Sequence, residues 1–330
     1  MRVGIKGWFS EFRLRNRQTG AEQPILGLRP NLITDAGLDM PATYAWNQCF
    51  EYAMIGTGST PATYADTTLE TQTHYTNTYS ATSNGTEEDF TGRYIDLWRY
   101  FVIENATGSA IPFRELAVGP TSTATFNRVV LSSEESIPAG YDLIFKYTLR
   151  LSLAQWRTPT VETWTMGAVS IPGKFAIYER YSGNHPENIL PGIQQIPTNG
   201  YAGAASADQA HLEPSAACGE GYNGGLRVLT SAMSELTELL EVTGPFGSGL
   251  ADYWPTVSSY VAGNNYVDRV FSIPAADFTG NTLYGAVFNQ PYTYYGGRFQ
   301  LCQVFRFDAA AVKPTTATWT ITNRLSWGRA

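Results

Sequence analysis

The 330-residue chain is 43% hydrophobic and only 15% charged, with a net charge of −7. That is enough apolar material for one large or two ordinary domains, and the acidic balance argues against nucleic acid as the principal ligand. Its 20 Tyr, 16 Phe and 8 Trp lie among Thr, Ser, Asn and 31 Gly, a mixture of strand and turn formers.

Taken in chain order, Met1 to Arg17 is charged and alternating, unlike a secretory signal. Its Trp8, Ser10, Phe12 and Leu14 predict a strand with these four on one face, ending at Gln18-Thr19-Gly20. Over residues 1–30 the cations Arg2, Lys6, Arg13, Arg15, Arg17 and Arg29 outnumber Glu11 and Glu22. They read either as the solvent side of that strand or as a basic arm touching an acidic partner chain. Thr34-Asp35 predicts a short helical turn, capped by Thr or Asp on the amides of Ala36 to Leu38. Thr43 to Met54 fits helix or strand. Gly56-Thr57-Gly58-Ser59-Thr60 lacks both the Gly-Lys-Thr of a phosphate loop and the third glycine of a dinucleotide fingerprint, so a turn after a strand is expected. Asn84-Gly85 signals a turn, and Glu87-Glu88-Asp89 and Glu134-Glu135 read as solvated turns between strands. Asp96 to Glu104 reads as a strand buried on both faces. After the turn Pro138-Ala139-Gly140, the residues Tyr141, Leu143, Phe145, Tyr147, Leu149, Leu151 and Leu153 share one side, with Lys146, Thr148, Arg150 and Ser152 opposite.

Residues 156–280 lose this rhythm and are rich in Gly, Pro, Ala and Asn. Within them Leu229, Ala232, Met233, Leu236 and Leu240 predict a helix near 229–242, stopped by Gly244-Pro245. Phe299 to Phe307 and Trp319 to Trp327 are further strands, the last with Thr318, Thr320, Thr322, Arg324 and Ser326 on its wet face. The fold class is therefore all-β: antiparallel β-sandwich or jelly-roll-like units with one or two short helices and a loop-rich insertion. The expected division is an N-terminal strand or arm over 1–30, a β-sandwich unit over 31–155, a loop-rich insertion or second domain over 156–280, and C-terminal strands over 281–330 packing on the preceding units.

No residue of the sequence is assigned a catalytic, cofactor-binding or metal-ligating role. His74, His185 and His211 lack metal-site spacing, and Cys49, Cys218 and Cys302 are odd in number and far apart, as small core residues of a reducing compartment would be. No Gly-x-Ser-x-Gly elbow occurs, and His211 with Cys218 has no third group nearby in sequence. The acidic pairs could serve a glycosidase only if two carboxyls met in an aromatic cleft. Few Lys beside many Arg and Tyr is the balance of protein–protein contacts, and no run reaches the ~20 apolar residues that cross a bilayer. Tyr253, Trp254, Tyr260, Tyr292, Tyr294 and Tyr295 are the candidate partner or glycan contacts, with core packing the commoner use of such side chains. The expectation is a non-enzyme without cofactor.

Several segments resemble structural proteins of tailed bacteriophages. Asn31-Leu32-Ile33-Thr34-Asp35-Ala36-Gly37-Leu38-Asp39 is similar to their N-L-I-T-D/N-x-G-L-D opening. Ile55-Gly56-Thr57-Gly58-Ser59-Thr60 and Asp66-Thr67-Thr68-Leu69 resemble the glycine turn and D-T-x-L segment that follow. Arg114-Glu115-Leu116, Phe126-Asn127-Arg128-Val129-Val130-Leu131 and Ile137-Pro138-Ala139-Gly140 resemble later strands and a hairpin, and Ser326-Trp327-Gly328-Arg329 the ends of such chains. The likeness covers about 31–155 and the last few dozen residues. Gly37, Gly56 and Gly58 would allow tight turns, and Glu115 beside Arg114 would form inter-strand or inter-subunit ion pairs. The resemblance implies a virion component assembled in the host cytoplasm, in the tail tip, baseplate or fibre attachment. Its partners would be other virion proteins and copies of itself, with host surface glycan as a further candidate and neither nucleic acid nor membrane insertion. Head decoration and a carbohydrate-binding or depolymerising role are the alternatives.

Overall fold

The computed structural model describes residues 2–44, 46, 48–89, 94–153, 160–166, 169–182, 226–229, 255–257, 260–277, 282–294, 297–313 and 316–330. Antiparallel strands dominate them, so the architecture is all-β. The chain divides into two units: Val3–Ser152 with Val261–Asn265 and Trp327–Ala330, and Met1–Arg2 with Leu153–Tyr260 and Tyr266–Ser326.

The first unit holds β1 (Arg2–Asn16), β2 (Glu22–Leu26), β3 (Arg29–Pro30), β4 (Leu32–Ile33), β5 (Tyr52–Gly56), β6 (Gln72–Thr76), β7 (Tyr79–Asp89), β8 (Tyr94–Glu104), β9 (Ile111–Gly119), β10 (Asn127–Ile137) and β11 (Tyr141–Leu153), with the helix α1 (Asp35–Asp39). One sheet runs β1-β11-β8-β7, with β2 and β3 also on β1, and the other runs β4-β10-β9-β5-β6. One side of β11 is as expected, with Leu143, Phe145, Tyr147, Leu149 and Leu151 all buried; on the other side Thr148 is buried as well, with Asp142 and Ile144, while Lys146, Arg150 and Ser152 are half-buried. Phe9, Phe12 and Phe101 cluster with Phe145 and Tyr147 in tilted pairs, with Phe12 stacked on Phe145, at ring centroids 5.1–6.5 Å apart. Such pairs add about 0.5–1.5 kcal/mol each beyond area burial. Phe50, from the 3-10 turn Gln48–Phe50 into which the ambiguous Thr43–Met54 stretch partly resolves, meets Tyr147 at 5.3 Å.

β1 corrects the sequence reading. Val3, Ile5, Gly7 and Phe9 are buried, and then the phase changes so that Phe12 and Leu14 are buried instead. The switch falls at Glu11, whose φ of 51° inserts an extra residue in the manner of a β-bulge. Trp8 and Ser10 therefore share the opposite face from Phe9, not the face of Phe12 and Leu14.

Other turn signals are overridden by pairing. Asn84-Gly85 and Glu87-Glu88-Asp89 lie inside β7, with Asn84 opposite Arg99 and Glu87 opposite Asp96. Glu134-Glu135 lies inside β10, within an irregular stretch where Val130 faces Glu115 and Glu135 faces Phe113. Pro138-Ala139-Gly140 is a turn as expected, with Gly140 at φ 79°.

The second unit contains β12 (Thr160–Met166), β13 (Val169–Ser182), β14 (Leu226–Leu229), β15 (Pro255–Val257), β16 (Tyr266–Ile273), β17 (Thr282–Tyr294), β18 (Gly297–Val312) and most of β19 (Trp319–Arg329). Its sheet β12-β13-β18-β17-β14 includes Trp164 stacked on Phe305 at 3.9 Å. β15, β16 and β19 pair in that order, with Thr320, Thr322 and Arg324 exposed on β19 and Trp319 and Ile321 buried. The helix expected near 229–242 lies outside the described residues, apart from Leu229, which closes strand β14.

Candidate functional site

The strongest concentration of polar chemistry among the described residues lies where β5, β9 and β10 run side by side. β5 delivers the chain into the loop 57–71, which folds around the fully buried Glu115 of β9. Glu115 Oε1 accepts from the amides of Gly58 (3.0 Å) and Thr71 (2.7 Å), and Oε2 accepts from the amide of Glu70 (3.0 Å) and from Arg128 Nε (2.8 Å). Arg128, on the neighbouring strand β10, extends the pair to Asp66 at 2.8 Å and Glu70 at 3.5 Å. The expected inter-strand pairing of Glu115 is thus made with Arg128. Asp66 also accepts from the Thr63 amide and hydroxyl, and Glu70 from those of Thr60.

The glycines serve this knot by absence of bulk, not by turn geometry. A Cβ on Gly56 or Gly58 would stand 2.6 or 2.5 Å from Glu115 Oε1, and neither residue needs a positive φ. Burial would raise the Asp66 carboxyl, but hydrogen bonds from Arg128 and Thr63 outweigh it and hold it below the usual range. Glu70 is lowered first by the Thr60 amide. With both Glu115 oxygens occupied by donors, the carboxylate has no lone pair to spare for proton abstraction; its chemistry is rigidity. Among the described residues no three His, Cys, Asp or Glu side chains converge as a metal would require.

Beside the knot lies a groove of about 450 Å³ lined by apolar Pro30, Leu32, Pro61 and Val130 and by Arg114 and Arg128. Arg114 donates to the carbonyls of Leu131 (3.3 Å) and Ser132 (3.4 Å), where the irregular β10 stretch leaves them without partners on β9.

Two segments far apart in the chain meet in this unit. Thr34 caps α1 through Gly37 N at 2.9 Å, as expected. Gly37 sits so close to the Phe126 carbonyl that a Cβ would overlap it. Trp327 Nε1 donates to Leu38 O, and Arg329 donates to Ile33 O at 2.8 Å and pairs with Asp35. The Asn31–Asp39 and Trp327–Arg329 segments thus form a clasp.

Sequence reasoning missed the open face of β1, β11 and β8. Arg150 makes a two-point pair with Asp96, both bonds 2.7 Å, and covers the rings of Tyr94 and Trp8 at 3.3 and 5.1 Å. Lys146 lies 4.8 Å from the Trp98 ring. The bulged Glu11 accepts from the Tyr100 hydroxyl at 2.6 Å, and burial together with this bond pushes the Tyr100 phenol up to about 12. The signal was the shared parity of Trp98 and Tyr100 with Lys146 and Arg150 across a regular ladder.

The expected partner contacts fall only in part among the described residues. Tyr253, Trp254 and Tyr295 lie outside them. Tyr292 and Tyr294 belong to β17, opposite Phe299 and Gly297, and Tyr260 is half-buried. His185, His211 and Cys218 are also outside, His74 sits on β6 opposite Ile55, and Cys49 is buried, with its thiol raised by desolvation. Comparison with protein-family models, with curated proteins and with solved structures found no match for this chain.

Proposed function

We propose that this protein is a structural component of a tailed-bacteriophage particle, placed in the tail at the tip, baseplate or fibre attachment and acting through protein–protein assembly. The observation that carries this reading is the use made of the resembling residues: Gly56, Gly58, Asp66, Glu115 and Arg128 make one buried ionic knot, and Asn31–Asp39 with Trp327 and Arg329 make the clasp. Such parts stiffen a subunit, as a protein that transmits load between neighbours requires. The aromatic and cationic open face, rich in Trp, Tyr and Arg, has the composition of a contact surface.

Quantitative mass spectrometry of purified tailed particles tests it. A tail part is present in a handful of copies per particle, whereas a head decoration protein is present in hundreds. Release of sugar from host capsule or lipopolysaccharide by the purified protein would replace the assembly reading with a depolymerising one.

A further inference from the structure

The chain changes sheets at Asn31. Arg29–Pro30 pairs with β1 and Leu32–Ile33 with β10, so on that side β10 has a neighbour only at Asn127 and Arg128. From Val130 to Ile137 no strand among the described residues runs along this edge. Ser132, Ser133, Glu134 and Ser136 are exposed there. The groove opens where the bare edge begins, with Leu32 and Val130 as apolar wall and the Arg114 guanidinium, which pairs with no carboxylate among the described residues, at its rim. A bare edge beside a pocket is the geometry that accepts an added strand, the main chain supplying hydrogen bonds and the pocket a side-chain register.

The chain carries a strand suited to it. Among the described residues β12 is the outermost strand of its sheet, and its Val161 is 79% exposed, more than any other large apolar side chain there. The adjoining Glu162 gives β12 a negative charge opposite in sign to that of Arg114. We propose that β12 of one copy adds to the open edge of β10 in another copy, continuing the line of β4, with Val161 entering the groove mouth and the charge of β12 falling near Arg114. The contact joins two different surfaces, so it propagates around a ring or along a stack. This deepens the assembly reading by naming its surface.

The test uses the full-length chain. Isotopically heavy Val161→Cys protein is mixed with light Ser132→Cys protein under mild oxidation, and the disulfide-linked peptides are mapped by mass spectrometry. A heavy–light link between positions 161 and 132 is expected; its absence, or links only to the native cysteines, overturns the proposal. In sedimentation, Val161→Lys is expected to weaken self-association by about tenfold or more, with the melting curve unchanged because the site is exposed. Unchanged self-association would also overturn it. A chain monomeric at every concentration whose β10 edge amides are protected from exchange only inside the particle assigns the edge to another virion protein, and that too overturns it. The cross-link forming in a protein absent from particles supports this contact while rejecting the virion role.

Discussion

At the level of single residues, the ionic knot turns on Glu115 and Arg128. Removing one partner strands a buried charge, which typically costs about 3–5 kcal/mol, whereas removing both costs less than the sum. Glu115→Gln and Arg128→Met should therefore each lower the guanidinium-chloride midpoint strongly and the double variant by clearly less than both together; strict additivity would contradict a coupled pair. Gly58→Ala forces a methyl against the Glu115 carboxylate and should lose about 1–3 kcal/mol. Gly108→Ala, where a Cβ meets nothing within 4 Å, should stay within about 0.5 kcal/mol of wild type in the same denaturation. The depressed Asp66 carboxyl gives a pH signature. Its stabilisation is complete above the ordinary aspartate value of about 3.9 and is lost as pH falls through the lower folded value. The stability gap between wild type and Asp66→Asn should thus hold down to about pH 5 and narrow below about pH 4; a pH-independent gap would show that no ion pair is at work. The glycines, Glu115 and Arg128 were each visible in the sequence as motif letters. Their meeting was not, because Gly58 and Thr71 lie far from Glu115 along the chain and only the sheet order β10-β9-β5 brings them together.

At the element scale, regular period-two burial was readable and departures from it were not. In β11 the positions Leu143 to Leu151 predicted to share one side are all buried along a continuous ladder with β8, while Asp142, Ile144 and Thr148 on the other side are buried as well. In β1 a single residue in the left-handed region reverses the faces, and nothing in the side-chain pattern around Glu11 marks it, since Glu is not a residue that favours positive φ. The turn propensity of Asn84-Gly85 likewise yields to ladder pairing with β8. The two readings of β1 separate by mutation. Phe9→Ala should cost about 3–5 kcal/mol, as for a large side chain removed from a core. Trp8→Ala, on the open face, should cost about 1 kcal/mol or less, through loss of its contact with Arg150. Chemical denaturation of the two variants gives the comparison, and equal losses would contradict the bulge.

At the scale of the whole molecule, the all-β class was legible because aromatic and β-branched residues at period two cannot be satisfied by helices. The face opposite the core was harder to read. Exposed aromatics in a sequence look the same as core aromatics, and the face that gathers Trp8, Trp98, Tyr100, Lys146 and Arg150 exists only once three strands are aligned. The first unit has its own aromatic core, ionic knot and clasp, the construction of a rigid building block. The most direct measurement of that role is a cryo-electron microscopy map of the purified particle, into which the Val3–Ser152 sandwich is fitted. If the protein is a tail part, the sandwich fits as a rigid body at symmetry-related positions in the tail; purified particles with no density for it, the protein remaining in the soluble fraction of the lysate, would contradict that role.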